Sequence, residues 1–559
     1  MTSLPRLIVC ACLAGVLTAR LALAAAPAPR IEPARIDAVF KDYGRSTPGC
    51  ALGVSSGGRL VYAKGYGMAD LTFGVPITPA TVFDIGSTSK QFAAASLLLL
   101  AADGKVALSD DVRKYVPELP DYGDTITLEH LLQNTSGLGD YTRTLWLKGF
   151  KMEDATDDDD ALAVIVKQRA LLFKPGAQWA YSNTGFFLLS VVIKRVTGKT
   201  LAEFAKERLF MPLGLARTHF RDDHTSIVPG RATAYSPREK GGGFQTDLSD
   251  WDQLGDGAVN TNVTELLQWE ENFYTARVGG TALVEQLQRP ATLTSGESVG
   301  YARGLFLDTY RGQRRIHHSG GWAGYRAVLM RFPEQHLSIA VLCNRGDARP
   351  QEQAEAVADV VLGQVLRAPE RGFAAAPLAS ATPSIPAEPY GEVKQFAGCY
   401  FSEEFQNVLR LKEQGGKLSL VIGIRSLPLR PTGPGRFDAE GGRRGLELAG
   451  DQLKLEAPLG GPPYTFRRIG PVDPPAVNWE PLLGAYDSPD LQTSLRITMK
   501  DGKAVLKGRT VDSYPLEPAF ADAFTAGPMF LRVTRDAGGQ AAGFELSASG
   551  MKRIRFERR

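Results

Sequence analysis

The stretch Phe83-Asp84-Ile85-Gly86-Ser87-Thr88-Ser89-Lys90-Gln91-Phe92-Ala93-Ala94-Ala95-Ser96-Leu97-Leu98-Leu99-Leu100 carries a short polar segment directly into a long apolar run. Rich in Ala and Leu, and free of Gly and Pro until Gly104, residues 88–103 are predicted to form a core helix. Positions three apart share a helix face, which puts Lys90 over the turn carrying Ser87. Burial strips hydration from an ammonium and lowers its pKa. Lys90 can then take the serine proton, and the positive end of the helix favours the charge that develops on oxygen. The pair reads as a device for covalent catalysis.

Working outward, 559 residues exceed one domain and suffice for two or three, each with its own core. A hydrophobic content of 43% and a charged content of 22% are those of a globular protein. A net charge of +3, with no basic stripe, excludes a nucleic-acid footprint and so a nucleic-acid partner. Residues 1–26 read as an export signal: Arg6, an apolar run from Leu7 to about Thr18, then Ala22-Leu23-Ala24-Ala25-Ala26. That run is too short to span a bilayer, so a periplasmic or secreted protein without an integral membrane segment is expected. Cys50, Cys343 and Cys399 remain after cleavage. None belongs to a Cys-x-x-Cys metal pair, and their default role is that of small buried hydrophobes. At most one pair can be bridged, and the sequence leaves open which. Neither a metal nor another cofactor is expected.

Helical patterns cover 88–103, 128–134, 161–171, 184–198, 200–209, 262–275 and 351–366 within a first block, 31–367, with β-rich stretches near 50–66 and 301–343. An Ala-, Pro- and Ser-rich segment, 368–392, reads as a linker. Short alternating runs follow, and they are duplicated. Gly398-Cys399-Tyr400 precedes Arg410 and Lys417, just as Gly484-Ala485-Tyr486 precedes Arg496 and Lys503 at the same offsets. Leu429-x-Pro431 leads to Phe437 as Leu516-x-Pro518 leads to Phe524. The repeat predicts two similar antiparallel β-barrels, 393–470 and 476–559.

Two more segments carry chemistry. Phe173-Lys174-Pro175-Gly176 forms a turn before Tyr181-Ser182-Asn183 and an apolar helix. At such a junction Tyr181 can pass a proton to a leaving group, while Asn183 can bind a substrate carbonyl and hold Lys90. His317-His318-Ser319-Gly320-Gly321-Trp322 precedes a strand-like run, and glycines beside a strand admit a ligand backbone. The Gly321 and Ser87 amides can together form an oxyanion hole. Trp322 and Tyr325 either shape this pocket or pack in the core.

Ser-x-x-Lys, Tyr-x-Asn and His-x-Gly, in this order, resemble the penicillin-recognising serine hydrolases: class C β-lactamases, D-alanyl-D-alanine peptidases, D-aminopeptidase and related esterases. Residues 127–138, 211–215 and 255–261 are also similar to that family, and the resemblance spans about 35–350. It implies an α+β fold, an antiparallel sheet flanked by helices with a helical subdomain, and the site between them. It implies Ser87 as nucleophile, Lys90 as proton acceptor and Tyr181 as acid/base partner of the leaving group. Asn183 would bind substrate, and His318, Ser319, Gly320 and Gly321 would line the opposite wall. His318 stands where β-lactamases and carboxypeptidases carry Lys. A neutral imidazole attracts a substrate carboxylate far less than an ammonium does. This departure and the paired barrels resemble D-aminopeptidase, whose barrels trail the catalytic domain and one of which sends a loop to the active site.

The expected activity is therefore hydrolysis of a D-amino-acid peptide or amide through an acyl-enzyme. A β-lactamase-like esterase or D-alanyl-D-alanine peptidase is the alternative, and a non-catalytic cell-wall peptide or β-lactam receptor the second. The partner is a small peptide, amide or ester, and homo-oligomerisation stays open. Gly53-Val54-Ser55-Ser56-Gly57 imitates a nucleophile elbow, which would make an α/β-hydrolase centred on Ser55, but a hairpin strand rather than a helix is expected after it. Thr197-Gly198-Lys199-Thr200 lacks the first glycine of a phosphate loop. Asp157–Asp160 is read as a solvated helix start, and His219, His224 and His336 have no partners at metal-binding intervals.

Overall fold

The computed structural model describes residues 30–368, 393–422, 425–439, 445–457, 462–470 and 477–559. The expected export signal and all but the first residue of the expected linker lie outside the described residues.

Six strands build the main antiparallel sheet: β1 (Cys50–Ser56), β2 (Arg59–Tyr66), β3 (Phe306–Tyr310), β4 (Gln313–Trp322), β5 (Tyr325–Phe332) and β6 (Leu337–Cys343). Their spatial order is β3-β4-β5-β6-β1-β2, so the chain's first strands complete a sheet begun by its later ones. β6 and most of β5 are buried on both faces, which is why they read as continuous Val/Ile/Leu runs instead of alternating ones. One face carries α1 (Lys90–Ala102), α2 (Asn183–Thr197) and α3 (Val263–Thr275) in a single large core. The other is covered by α4 (Pro350–Leu362), whose Val357, Ala358 and Val361 pack with Val328, Met330 and Val341.

The helix predicted over 88–103 begins at Lys90, and Ser87 lies in a tighter 3₁₀ turn, Gly86–Ser89, just ahead of it. The helix predicted over 161–171 is displaced to Asp158–Ile165. Asp157 accepts from the Asp159 and Asp160 amides and starts it early. Beyond its end, Gln168 accepts from the Gly139 amide and Arg169 pairs with Asp490. The helix expected over 200–209 is Leu201–Ala205 continued by a wider π turn, Lys206–Phe210. Ser55 lies inside the β1–β2 hairpin, and with no helix after it the elbow geometry is absent.

Cys50 and Cys343 face each other across β1 and β6 and form a disulfide, whereas Cys399 is buried in the first barrel. Between α3 and β5, Glu270 and Arg331 are both 3% exposed and pair at 2.7 Å, with the guanidinium 4.0 Å from the Phe273 ring centre. Removing one partner strands the other charge in the core. Glu270→Ala is expected to destabilise the protein by about 3 kcal/mol, and denaturant titration against Glu270→Ala/Arg331→Met, expected to recover part of the loss, checks it.

The duplicated region is two closed eight-stranded barrels, running from Gly398–Ser402 to Tyr464–Gly470 and from Gly484–Ser488 to Met551–Arg558. The repeat has structural counterparts. Cys399 pairs with Arg410 as Ala485 pairs with Arg496, and a bulge follows both Pro431 and Pro518. Tyr400 donates to the Phe396 carbonyl as Tyr486 donates to the Leu482 carbonyl, each four residues earlier. Arg468 and Arg558 each clasp carbonyls of the segment entering their barrel. The second barrel joins the core of the sheet domain, and its Gly550 carbonyl accepts the Asp140 amide at 2.7 Å. No helix among the described residues is long and apolar enough to cross a membrane.

Candidate active site

Lys90 is fully buried, and its Nζ donates to Ser87 Oγ at 3.1 Å, Asn183 Oδ1 at 2.8 Å and the Asp256 carbonyl at 2.7 Å. Three acceptors match the three N–H bonds of an ammonium. A free amine keeps two of these donors and turns its lone pair towards Ser87. Burial favours that form and lowers the Lys90 pKa to about 8, against the pull of Asp256 and Asp140. The Tyr181 ring lies 4.9 Å from Nζ, on the side of Lys90 that carries Ser87. Burial also keeps that phenol protonated, so Tyr181 is a proton donor at neutral pH.

Each group is held by identifiable contacts. Asn183 opens α2, and its amide donates to Asp140 Oδ2 at 2.9 Å. Asp140 itself caps the helix Tyr141–Lys148 and meets the turn of the second barrel at Gly550. Gly255, at φ +102°, lies against the Phe186 carbonyl, where a Cβ would come within 2.2 Å. That close approach sets the Asp256 carbonyl over Lys90. On the opposite side, a Cβ at Gly320 would meet the Ile85 carbonyl at 1.9 Å, and one at Gly86 would meet the Gly321 nitrogen at 2.7 Å. The absence of side chains at both positions lets β4 press its backbone on the Ser87 turn.

The structure therefore brings Ser87, Lys90, Tyr181, Asn183 and Gly321 together. His318 is buried behind them among Tyr181, Tyr301 and Phe306, with ring centres 6.2, 6.1 and 4.9 Å away. Burial and the nearby Lys90 lower its pKa to about 3, so it is neutral. Its Nδ1 lies 2.6 Å from the Ser319 carbonyl. Trp322 stands edge-on to Trp251 at 5.6 Å and reaches the cleft, whereas Tyr325 is buried and donates to the Ala232 carbonyl.

The cleft is lined by Ser87, Tyr141, Asn183, Trp251, Asp256 and Trp322 among others. Sequence reasoning assigned no role to Tyr141, Trp251 or Asp256. For Asp256 a signal existed, a carboxylate between two glycines at 255–257. For Tyr141 and Trp251 there was none, because only the fold brings them to the cleft. Away from the site, the ligand atoms of His224, Asp223 and Asp252 lie within 4.8 Å of one another, a grouping that sequence intervals do not reveal.

The family model described as Beta-lactamase matches residues 36–362. The chain is 29% identical over 338 residues to penicillin-binding protein 4* of Bacillus subtilis, covering 57% of this chain and 73% of that protein. It is 26% identical over 534 residues to a D-aminopeptidase of Cereibacter sphaeroides, covering 91% of this chain and 96% of that protein, barrels included. Among solved structures, the octameric penicillin-binding protein homologue from Pyrococcus abyssi shares the fold, with a TM-score of 0.56 at 22% identity, over 78% of this chain and 100% of that one. The family match spans more than half of the chain and contains the whole Ser87–Lys90–Tyr181 constellation: this chain belongs to the beta-lactamase family.

Proposed function

We propose that the protein is an exported serine hydrolase that cleaves D-amino-acid amides or short peptides through an acyl-enzyme on Ser87. The observation that carries this reading is the buried Lys90 amine, shared by Ser87 Oγ and Asn183 Oδ1 and facing the Tyr181 ring. As Ser87 Oγ bonds to the carbonyl carbon, its proton passes to Lys90, and the Ser87 and Gly321 amides receive the oxyanion. The C–N bond then breaks, and the Tyr181 phenol protonates the departing amine and regains its proton from Lys90. Water hydrolyses the ester by the reverse order of transfers, releasing the acid and freeing Ser87. The D-aminopeptidase relatives support the substrate class, and His318, buried and neutral behind the site, supplies no cation for a substrate carboxylate. The disulfide supports an oxidising compartment.

The test is a hydrolysis panel of D-alanine p-nitroanilide, p-nitrophenyl butyrate and nitrocefin. The anilide is expected to turn over fastest, and nitrocefin as the preferred substrate overturns the reading. The pH profile is a second check. Lys90 acts as the free amine, so kcat/KM is expected to rise with pH and level off above a midpoint near 8. His318, protonated only near 3, adds no limb in the working range. A profile flat from pH 6 to 9 contradicts the role given to Lys90.

A further inference from the structure

We propose that the Asp256 carboxylate receives the α-ammonium group of the substrate's acyl half, restricting the enzyme to amides and esters of amino acids with a free amine. The inference rests on Ser87 being the nucleophile and adds the feature by which the substrate is recognised. Asp256 lines the same cleft as Ser87 and is 7% exposed. Both of its carboxylate oxygens face the Tyr141 hydroxyl at 3.2 Å, and no arginine or lysine among the described residues forms an ion pair with it. Lys90 attracts this carboxylate without pairing with it directly, and burial pushes its pKa up to about 7, so a cation seated against it would stabilise the charged form.

Position matters as much as charge. The Asp256 carbonyl and Ser87 Oγ are held by one nitrogen, Lys90 Nζ, at 2.7 and 3.1 Å. Asp256 and Ser87 thus border one cleft on either side of Lys90. In an aminoacyl substrate the α-nitrogen is separated from the attacked carbonyl carbon by a single atom. With the carbonyl over Ser87, the amine falls in the space that Asp256 and Tyr141 border. The other cation of the lining, Arg221, donates to the Ser249 carbonyl and faces Asp84 and Asp252, so it is committed elsewhere.

The arrangement couples binding to catalysis. The negative charge of Asp256 holds a proton on Lys90. An ammonium set against Asp256 offsets that charge and shifts Lys90 towards the free amine that activates Ser87. A substrate with a free amine thereby primes the base that attacks it, and an acylated amine does not.

The experiment compares kcat/KM for D-alanine p-nitroanilide and N-acetyl-D-alanine p-nitroanilide. The native enzyme is expected to favour the free amine at least about 10-fold, and Asp256→Asn to shrink that ratio by about 10- to 100-fold, the range for a hydrogen bond to a charged group. Labelling of Ser87 by a fluorophosphonate reports whether the variant is folded. A native enzyme that takes both substrates equally, or prefers the acetylated one, overturns the proposal whether or not the variant folds. So does a folded variant that loses both activities alike, which would make Asp256 a support for Lys90 alone. Failure of the Ser87 assignment looks different: Ser87→Ala would then keep both activities.

Discussion

Ser87→Ala is expected to abolish acyl-enzyme formation, and Lys90→Met to come close to it, each lowering kcat/KM by about 10⁴-fold or more. The two losses are not independent, because the serine hydroxyl and the lysine amine act as one unit, and the double variant is expected to be scarcely worse than either single change. Lys90→Met suits the purpose because methionine is unbranched and apolar and fits the buried channel between Tyr181 and Phe186. It leaves the Asn183 Oδ1 and the Asp256 carbonyl without a donor, and a modest loss of stability follows. Thermal melts separate that loss from the chemical one. A fluorophosphonate adduct found on Ser87 in the native enzyme, absent from Ser87→Ala and formed far more slowly in Lys90→Met, completes the expected pattern. Undiminished hydrolysis of D-alanine p-nitroanilide in both variants would end the assignment.

How much of this was legible beforehand divides along a physical line. Ser87, Lys90, Tyr181 and Asn183 are readable because each sits at a local landmark. Two lie across a helix start, and two stand where a turn enters an apolar helix, so short-range rules place them. The barrels are readable because a duplication repeats its offsets, and those offsets became matching strand pairs and bulges. What stayed hidden depends on long-range closure. Asp256 and Lys90 lie 166 positions apart, and only the packing of Gly255 on α2 brings the Asp256 carbonyl to the amine. Likewise His318 is expected from the resemblance to line the wall opposite Asn183. In the folded molecule that residue is buried in aromatic rings, and the cleft is bordered instead by Gly321 and Trp322. The early start of Asp158–Ile165 has a simpler cause: Asp157 outcompetes the apolar pattern in setting the first turn.

Replacing Cys50 and Cys343 together with alanine is expected to destabilise the protein by about 4 kcal/mol, which is a fall in Tm of about 6 °C for a domain of this size. The cysteines are 293 positions apart, so their bond closes a very long loop in the unfolded chain and removes much of its conformational freedom. In the folded state the same bond asks little of the backbone. Cys50 and Cys343 are already partners in the β1–β6 ladder, in the interior of the sheet. The three cysteines of the described chain left the pairing open on paper, since nothing local shows that the first strand of the sheet lies beside the last. A reductant is expected to reproduce the effect of the double variant in the native protein only after partial unfolding, because both sulfurs belong to fully buried residues. Thermal melts of native protein with and without dithiothreitol, set beside the double variant, measure it. Equal Tm values for oxidised native protein and variant would mean that the unfolded chain is not held by this bond.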